Sequence, residues 1–316
     1  MLPLPKSKIF GKSEAKQNKI INLSYVHENT NWKSVSFNGW VLPARSPGKW
    51  NCGKWQTKGC LKYENHPDGK AWVKHYQKSC FKASCSVCVW KYLDRESNRA
   101  TTRIETLARN SQYLPLNEGY RYNPVHVVVS VPKKDWNLDY KILKSMARDM
   151  LKKSGCFGGL MVFHPFRQIE DAEDSLRENK PIGDWYWSPH FHSIAIGWIS
   201  GQEVADNYHE TKWVVVNLGV RRSVFQTVWY QLSHCGIKEG FHSITWWGIL
   251  GYHSYYSKLK LEDGPELEDY CPFCFEPLNE LIWIGADRPP TDDLIFEVEL
   301  LSDAKDWEFK NRYRKT

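Results

Sequence analysis

The sequence predicts a chain of mixed helices and strands that carries zinc-binding modules, and three observations predict it. Five cysteines fall between Cys52 and Cys88, three of them spaced C-x4-C-x2-C at Cys80, Cys85 and Cys88. From His126 onward, short β-branched runs alternate with segments of helical period. Among those runs, Trp185–Gly197 holds the triplet His190-Phe191-His192 just ahead of the apolar Ile194-Ala195-Ile196.

The 316 residues suffice for one large or two modest cores. Sixteen Trp, 16 Tyr and 13 Phe make the chain unusually aromatic, and a net charge of +7 favours polyanionic partners without requiring one. No apolar run approaches the roughly 18–20 residues of a membrane span, and the first residues lack the apolar core of a secretory signal. The expectation is a cytoplasmic protein without membrane partners. In a reducing compartment nine cysteines favour metal sites over disulfides.

In order, residues 1–45 read as a loosely ordered polar arm with a strand-like piece at Ser34–Leu42. Residues 46–115 read as a cysteine-rich zinc module with a long helix. Closely spaced thiolates at Cys80, Cys85 and Cys88 close most of a tetrahedral site, with Cys60 or Cys52 as the missing ligand and His66 and His75 as weaker candidates. Over Val89–Arg109, Trp90, Leu93, Ala100, Ile104 and Leu107 recur at helical steps as a core-facing stripe. Lys91, Arg95, Arg99 and Arg103 step along another face, suited either to phosphates or, given Asp94, Glu96 and Glu105, to solvent. The polar stretch Asn110–Tyr122 marks a boundary.

Residues 116–262 carry the alternating pattern. His126–Val131 is a buried strand, and Leu138–Lys153 a helix with Leu138, Ile142, Met146 and Met150 on one line. Gly159–Phe163 is a second strand, leading into His164-Pro165-Phe166-Arg167. The charged run after it reads as a surface loop, and Trp213–Val216 as a short strand. Ser223–His234 is a helix capped by Ser223 and released at Gly236. His242–Trp247 is a last strand. Residues 263–316 hold Cys271-Pro272-Phe273-Cys274, half of a zinc knuckle whose other ligands come from His253, Cys235 or the first cysteine cluster. The tail reads as peripheral.

On a strand, His190 and His192 project from one face about 7 Å apart at Cα, and Phe191 from the other. Two such imidazoles can converge on a metal ion; they can equally be ordinary histidines satisfied by hydrogen bonds in a half-buried strand. Tyr230 lies in the Ser223–His234 helix roughly opposite the stripe of Val224, Val228 and Leu232, so core filling does not explain it. His234 follows one turn later.

The order strand, helix, strand, His–Phe–His strand, Tyr-bearing helix, strand resembles the HUH endonuclease superfamily, in particular the rolling-circle replication initiators (Rep proteins) of plasmids and viruses. GLMVFHPFR, WSPHFHSIAIG, YQLSHCGI and ITWWG further resemble Rep-like proteins of archaeal elements. The likeness covers about Tyr120 to Lys260. It implies an α+β fold, an antiparallel sheet with flanking helices and a site on one sheet face. It also implies a metal-dependent nickase and strand-joining enzyme acting on single-stranded origin DNA. His190 and His192 would hold Mg2+ or Mn2+, and a tyrosine would form a 5′-phosphotyrosine link. A third ligand is expected from the neighbouring strand, with His164 the first choice; Arg167 could hold a phosphate.

The nucleophile expected from this resemblance is Tyr230, with Tyr255 or Tyr256 as rivals because Tyr255 and Lys258 have the Tyr-x-x-Lys spacing of viral Reps. Tyr252 ranks below them. His234 stands near the family's usual lysine and could orient phosphate or carry a proton. Zn2+ at the cysteines would be structural. Without a Gly-x4-Gly-Lys-Ser/Thr run, unwinding would fall to a separate helicase. The alternatives are an HUH transposase or relaxase, or a non-enzymatic zinc-finger nucleic-acid-binding protein.

Overall fold

The computed structural model describes residues 32, 34–109, 123–197, 199, 201–252 and 270–310. The chain begins there with a tight hairpin, β1 (Ser36–Phe37) and β2 (Trp40–Val41). Its two turn residues, Asn38 and Gly39, both have positive φ (49° and 78°), as a two-residue hairpin of this hand demands. A longer hairpin follows, β3 (Trp55–Cys60) and β4 (Ala71–Gln77), and then α1 (Val89–Arg109). Next come β5 (Val125–Ser130), α2 (Tyr140–Lys153), β6 (Cys156–Gln168), α3 (Ala172–Glu178) and β7 (Trp185–Gly197). After α4 (Gly201–Thr211), β8 (Val214–Val220), α5 (Val224–Ser233) and β9 (Ile244–Gly248), the chain ends in β10 (Asn279–Trp283), β11 (Val298–Ser302) and β12 (Trp307–Phe309).

The fold is α+β, with five α-helices among the described residues and two five-stranded antiparallel sheets. The larger sheet has the order β8-β5-β7-β6-β9, so the His190–His192 strand is its centre. Its two faces bury different sets. One face packs Val127, Val129, Phe163 and Phe191 with Leu143 and Ala147 of α2. The other packs Leu160, Val162, Ile194 and Ile196 with Leu93, Ile104 and Leu107 of α1 and Val228 and Leu232 of α5. Period-two alternation therefore delivers Phe191 to the first core and both histidines to the second face.

Several expectations are corrected. The arm does not run to residue 45: Trp32, Trp40 and Leu42 are buried, and Trp40 packs on Tyr140 and Phe163. The charged run after Arg167 is not all loop. Asp171 caps α3 by accepting from the Asp174 amide at 2.8 Å, and Asn179 ends it in the left-handed region. In α2 the buried line is Tyr140, Leu143, Ala147, Met150 and Leu151, whereas Leu138 and Ile142 face outward. Trp90 leaves the core stripe and stacks on Trp229 at 5.6 Å.

The smaller sheet, ordered β11-β4-β3-β10-β12, unites what the sequence divides into a cysteine-rich module and a peripheral tail. Leu281, opposite Thr57, and Val298, opposite His75, bring residues about two hundred apart in sequence into one layer. Ala71, Val73, Leu281 and Trp307 form its small core. Among the described residues no helix is long and apolar enough to cross a membrane.

Candidate active site and metal centres

Register makes the histidine site. In the β6–β7 pair His164 lies opposite His190, and Val162 opposite His192. Directly opposed residues share a face, so all three imidazoles stand on one side, and their ligating atoms lie within 4.8 Å of one another. Helix α5 lays His234 onto the same place, its ring 4.4 Å from His164. Gly236 permits this approach. Its amide donates to the Phe163 carbonyl at 2.7 Å, and a Cβ there would meet Pro165 and Trp40 at 2.7 and 2.9 Å. Tyr230, one helical turn before His234, sits half-exposed with its ring 4.8 Å away.

His190, His192, His234 and Tyr230 line a cleft of about 420 Å³ that also takes in Arg167, Glu170, Arg177 and Tyr186, with His164 buried behind it. Arg167 is anchored by donating to Ser130 Oγ at 2.8 Å. Arg177 is held in ion pairs with Asp174 and Glu178. The cleft thus offers two guanidinium groups beside a buried cluster of imidazoles.

Hydrogen bonding sets which nitrogens are available. His190 Nδ1 donates to the Ser188 carbonyl at 2.8 Å, which leaves Nε2 bare, the usual arrangement of a metal-binding histidine. Both nitrogens of His164 are buried without a hydrogen bond of normal geometry. An imidazole in that state loses its hydration without compensation, and a cation would supply the partner. His192 Nδ1 pairs with His126 Nε2 at 2.8 Å, and Arg221, which can only donate, reaches His126 Nδ1 at 3.1 Å. Metal uptake at His192 Nε2 therefore requires its proton on Nδ1 and release of Arg221 from His126. The donor set fits a divalent ion of borderline softness better than Mg2+, because all three ligands are imidazoles. On α5, Ser233 Oγ donates its one proton to the Tyr230 carbonyl at 2.7 Å, so at 3.1 Å it accepts from His234 Nδ1. His234 Nε2 is then a free base.

Burial keeps these rings neutral. It pulls His190 down to about 3, helped by the nearby Arg167 charge, and His126 and His234 to about 4. His164 and His192 are also lowered, first by burial and then by neighbouring imidazoles, His192 for His164 and His190 for His192. Each ring is more basic unfolded than folded. Between the ordinary value of 6.5 and about 4 the unfolded chain therefore binds protons that the folded chain refuses. Stability contributed by the cluster is complete above about pH 6.5 and falls as the pH drops through that window, by up to about 1.4 kcal/mol per ring per pH unit. The melting temperature without added divalent ion is expected to fall from pH 7 to pH 5 more steeply in the natural chain than in His164→Leu. Equal slopes would contradict this account. The Tyr230 phenol is pushed up by burial and then by the Glu170 charge, so it is protonated at neutral pH.

Two further clusters that could hold a metal ion sit at opposite ends of the β3–β4 hairpin. Cys52, Cys80, Cys85 and Cys88 gather at the open end, and Cys60, His66, Cys271 and Cys274 at the turn end. Sulfur separations of 3.9 Å (Cys52–Cys85) and 3.5 Å (Cys60–Cys274) match the edge of about 3.8 Å expected when each Zn–S bond is about 2.3 Å. His66 Nδ1 donates to the Lys70 carbonyl at 2.9 Å, and Nε2 faces Cys271 Sγ at 3.2 Å, again leaving the ligand nitrogen bare. At Cys88, burial raises the thiol pKa, but hydrogen bonds from the Cys80 amide, Ser79 and neighbouring thiols outweigh it and lower the value to about 7. Both clusters can hold zinc.

The structure thus assigns Cys52, not Cys60, to the first cluster and gives Cys60 to the second. Cys235 is buried in the core and belongs to neither. His75 bonds Thr57 at 2.8 Å. His253, Tyr255, Tyr256 and Lys258 lie outside the described residues, while Tyr252 packs against Arg103 at 4.8 Å. Two arginines of the α1 stripe, Arg95 and Arg103, contact other segments, and Arg99 remains largely exposed beside Glu96 of its own helix. Arg95 covers Phe81, Arg99 meets Glu96, and Arg103 donates to the Leu250 carbonyl and covers Trp246. Sequence reasoning undervalued His66 and passed over His126. His66-Pro67-Asp68-Gly69 is a turn signal beside a cysteine-rich run, and His126 stands in a strand next to apolar valines, where only pairing reveals its partner.

Elemental analysis of the purified chain is expected to give two tightly held zinc ions, and Cys60→Ser is expected to leave one. A single zinc in the natural chain would exclude the second centre. Comparisons of the chain with protein-family models, curated proteins and solved structures returned no match.

Proposed function

We propose that the chain is an HUH-type endonuclease that nicks and rejoins single-stranded DNA at a replication origin, in the manner of rolling-circle initiators. The observation that carries this reading is that His190 and His192 line one cleft with Tyr230, His234 and Arg167, and that the buried His164 clusters with that histidine pair. His164, His190 and His192 would hold the catalytic divalent ion; of the two ions the resemblance implies, nitrogen ligands disfavour Mn2+ less than Mg2+. That ion would polarise the scissile phosphate and neutralise its developing charge. Arg167 binds a non-bridging phosphate oxygen, its side chain already fixed by Ser130. Tyr230 Oη attacks phosphorus, the P–O3′ bond breaks, and its electron pair leaves on the 3′ oxygen. His234 Nε2 receives the phenolic proton and returns it when the 3′ oxygen attacks the phosphotyrosine. The phosphotyrosine conserves the bond energy, so rejoining needs no nucleotide. Unwinding is left to a separate helicase.

The test is incubation of the zinc-loaded chain with labelled single strands of random sequence and Mn2+. The expected product is a protein–DNA band that survives denaturing electrophoresis. No such band with either Mn2+ or Mg2+ would overturn the reading in favour of a binding protein without catalysis.

A further inference from the structure

Positive charge is not spread evenly along this chain. Between Asn29 and Leu93 there are eleven Lys and Arg against two Asp and Glu, so with a total of +7 the remainder is net acidic. Three of these lysines are paired with carboxylates of the C-terminal segment: Lys62 with Glu276, Lys74 with Glu299 and Lys91 with Glu297. Four others collect around the Cys52–Cys80–Cys85–Cys88 cluster. Lys49 and Lys54 flank Cys52, and Lys78 and Lys82 flank Cys80. Among the described residues no carboxylate pairs with any of the four. Lys49, Lys54 and Lys82 are exposed, and Lys78 is half-buried.

In the middle of these charges stands Trp50, 81 % exposed, with Lys54 Nζ 5.0 Å from its ring centroid. The loop that presents it is fixed. The Cys52 amide donates to the Lys49 carbonyl and the Gly53 amide to the Lys78 carbonyl, both at 2.9 Å. Val87, between Cys85 and Cys88, fills the space that side chains at Gly48 and Gly53 would need, 2.7 and 2.9 Å from their Cβ positions. None of these residues lines the histidine cleft.

We infer that this cysteine knuckle is a second nucleic-acid-binding surface, which takes a single strand by stacking one base on Trp50 and placing flanking phosphates on Lys49, Lys54, Lys78 and Lys82. A flat indole open to solvent accepts any base face, and unpaired ammonium groups around it match the spacing of a flexible phosphate chain. Duplex DNA would satisfy the lysines and leave the indole unused. The knuckle also has a rigid route to the cleft. Cys88 leads directly into α1, where Trp90 stacks on Trp229 and Asp94 accepts from Trp229 Nε1 at 2.9 Å, next to Tyr230 on α5.

Fluorescence anisotropy with a labelled oligothymidylate of about 20 nucleotides, on the full zinc-loaded chain without added divalent ion, tests the inference. Trp50→Ala is expected to weaken binding about tenfold. The double variant Lys49→Gln/Lys54→Gln, which keeps the indole, is expected to flatten the salt dependence by about 0.7 per lysine. Zinc content confirms that each variant keeps both centres. Unchanged binding in both variants overturns the inference. So does an equal Trp50→Ala loss with polyphosphate, which has no bases, or a loss confined to phosphatidylserine vesicles, which would make the patch a membrane contact. Binding is read without divalent ion and adduct formation with Mn2+, so failure here and failure of the nickase reading are distinguishable.

Discussion

His190→Ala is expected to reduce Mn2+-dependent strand cleavage by about 10²–10³-fold or more, the scale on which loss of one transition-state charge stabiliser acts. His190 is the ligand whose geometry is most nearly ready, with Nδ1 committed to Ser188 and Nε2 bare. Its removal leaves His164 and His192, too few to hold a labile ion against water. The same site gives a second, opposite readout. His164 is fully buried with neither nitrogen making a hydrogen bond of normal geometry, a destabilising state in the absence of metal. His164→Leu should therefore abolish cleavage while holding or raising the melting temperature without added divalent ion. A variant that loses cleavage and stability together would mean that His164 serves the fold and not an ion.

Tyr230→Phe is expected to abolish the covalent adduct, with single-strand affinity unchanged within about twofold, because only one oxygen is lost and that oxygen makes the bond. The phenol sits half-exposed at the cleft, on a helix held by Val224, Val228 and Leu232 and by the α1 contacts. Burial and Glu170 keep it protonated, so its reactivity depends on a proton acceptor in place. His234→Ala should then slow adduct formation most at low pH and least at high pH, where solvent takes the proton. Peptide mapping of the trapped adduct decides directly. A DNA-bearing peptide containing Tyr255 or Tyr256 would move the nucleophile off α5 and leave the nickase reading standing.

Much of this site was legible in the sequence because it depends on local periodicity. His-x-His on an apolar strand already fixes a shared face, and Ser223, which accepts from the Gln226 amide at 3.2 Å, marks where α5 begins. His164 was legible as a strand terminus, but its place opposite His190 is a matter of register, which no single strand encodes. The His126–His192 bond and the pairing of Cys60 with Cys274 were illegible for the same reason. They join residues 66 and 214 positions apart, and nothing in either neighbourhood names the other. Helix α4 was missed because Gly201–Thr211 is polar on most of its surface, with Asn207 the one buried side chain among its described residues. The basic stripe of α1 was readable as a pattern. Its use was not, since Phe81, Trp246 and Leu250 arrive from elsewhere to receive those arginines.

The sulfur of Cys60 waits for a partner 214 residues downstream. At about 5–20 residues per second on a ribosome, that is a delay of about 10–40 s. During it the β3–β4 hairpin has emerged with one metal centre complete and the other half-made. Cys60 and His66 are then an open pair of ligands, and β3 and β4 each lack an outer neighbour, β10 and β11. A nascent chain in that condition can exchange zinc or pair its bare strand edges with another copy. Cys271 and Cys274 close the ligand set, β10 then covers β3 and β11 covers β4, so the last seventh of the chain decides whether the first quarter is safe from aggregation.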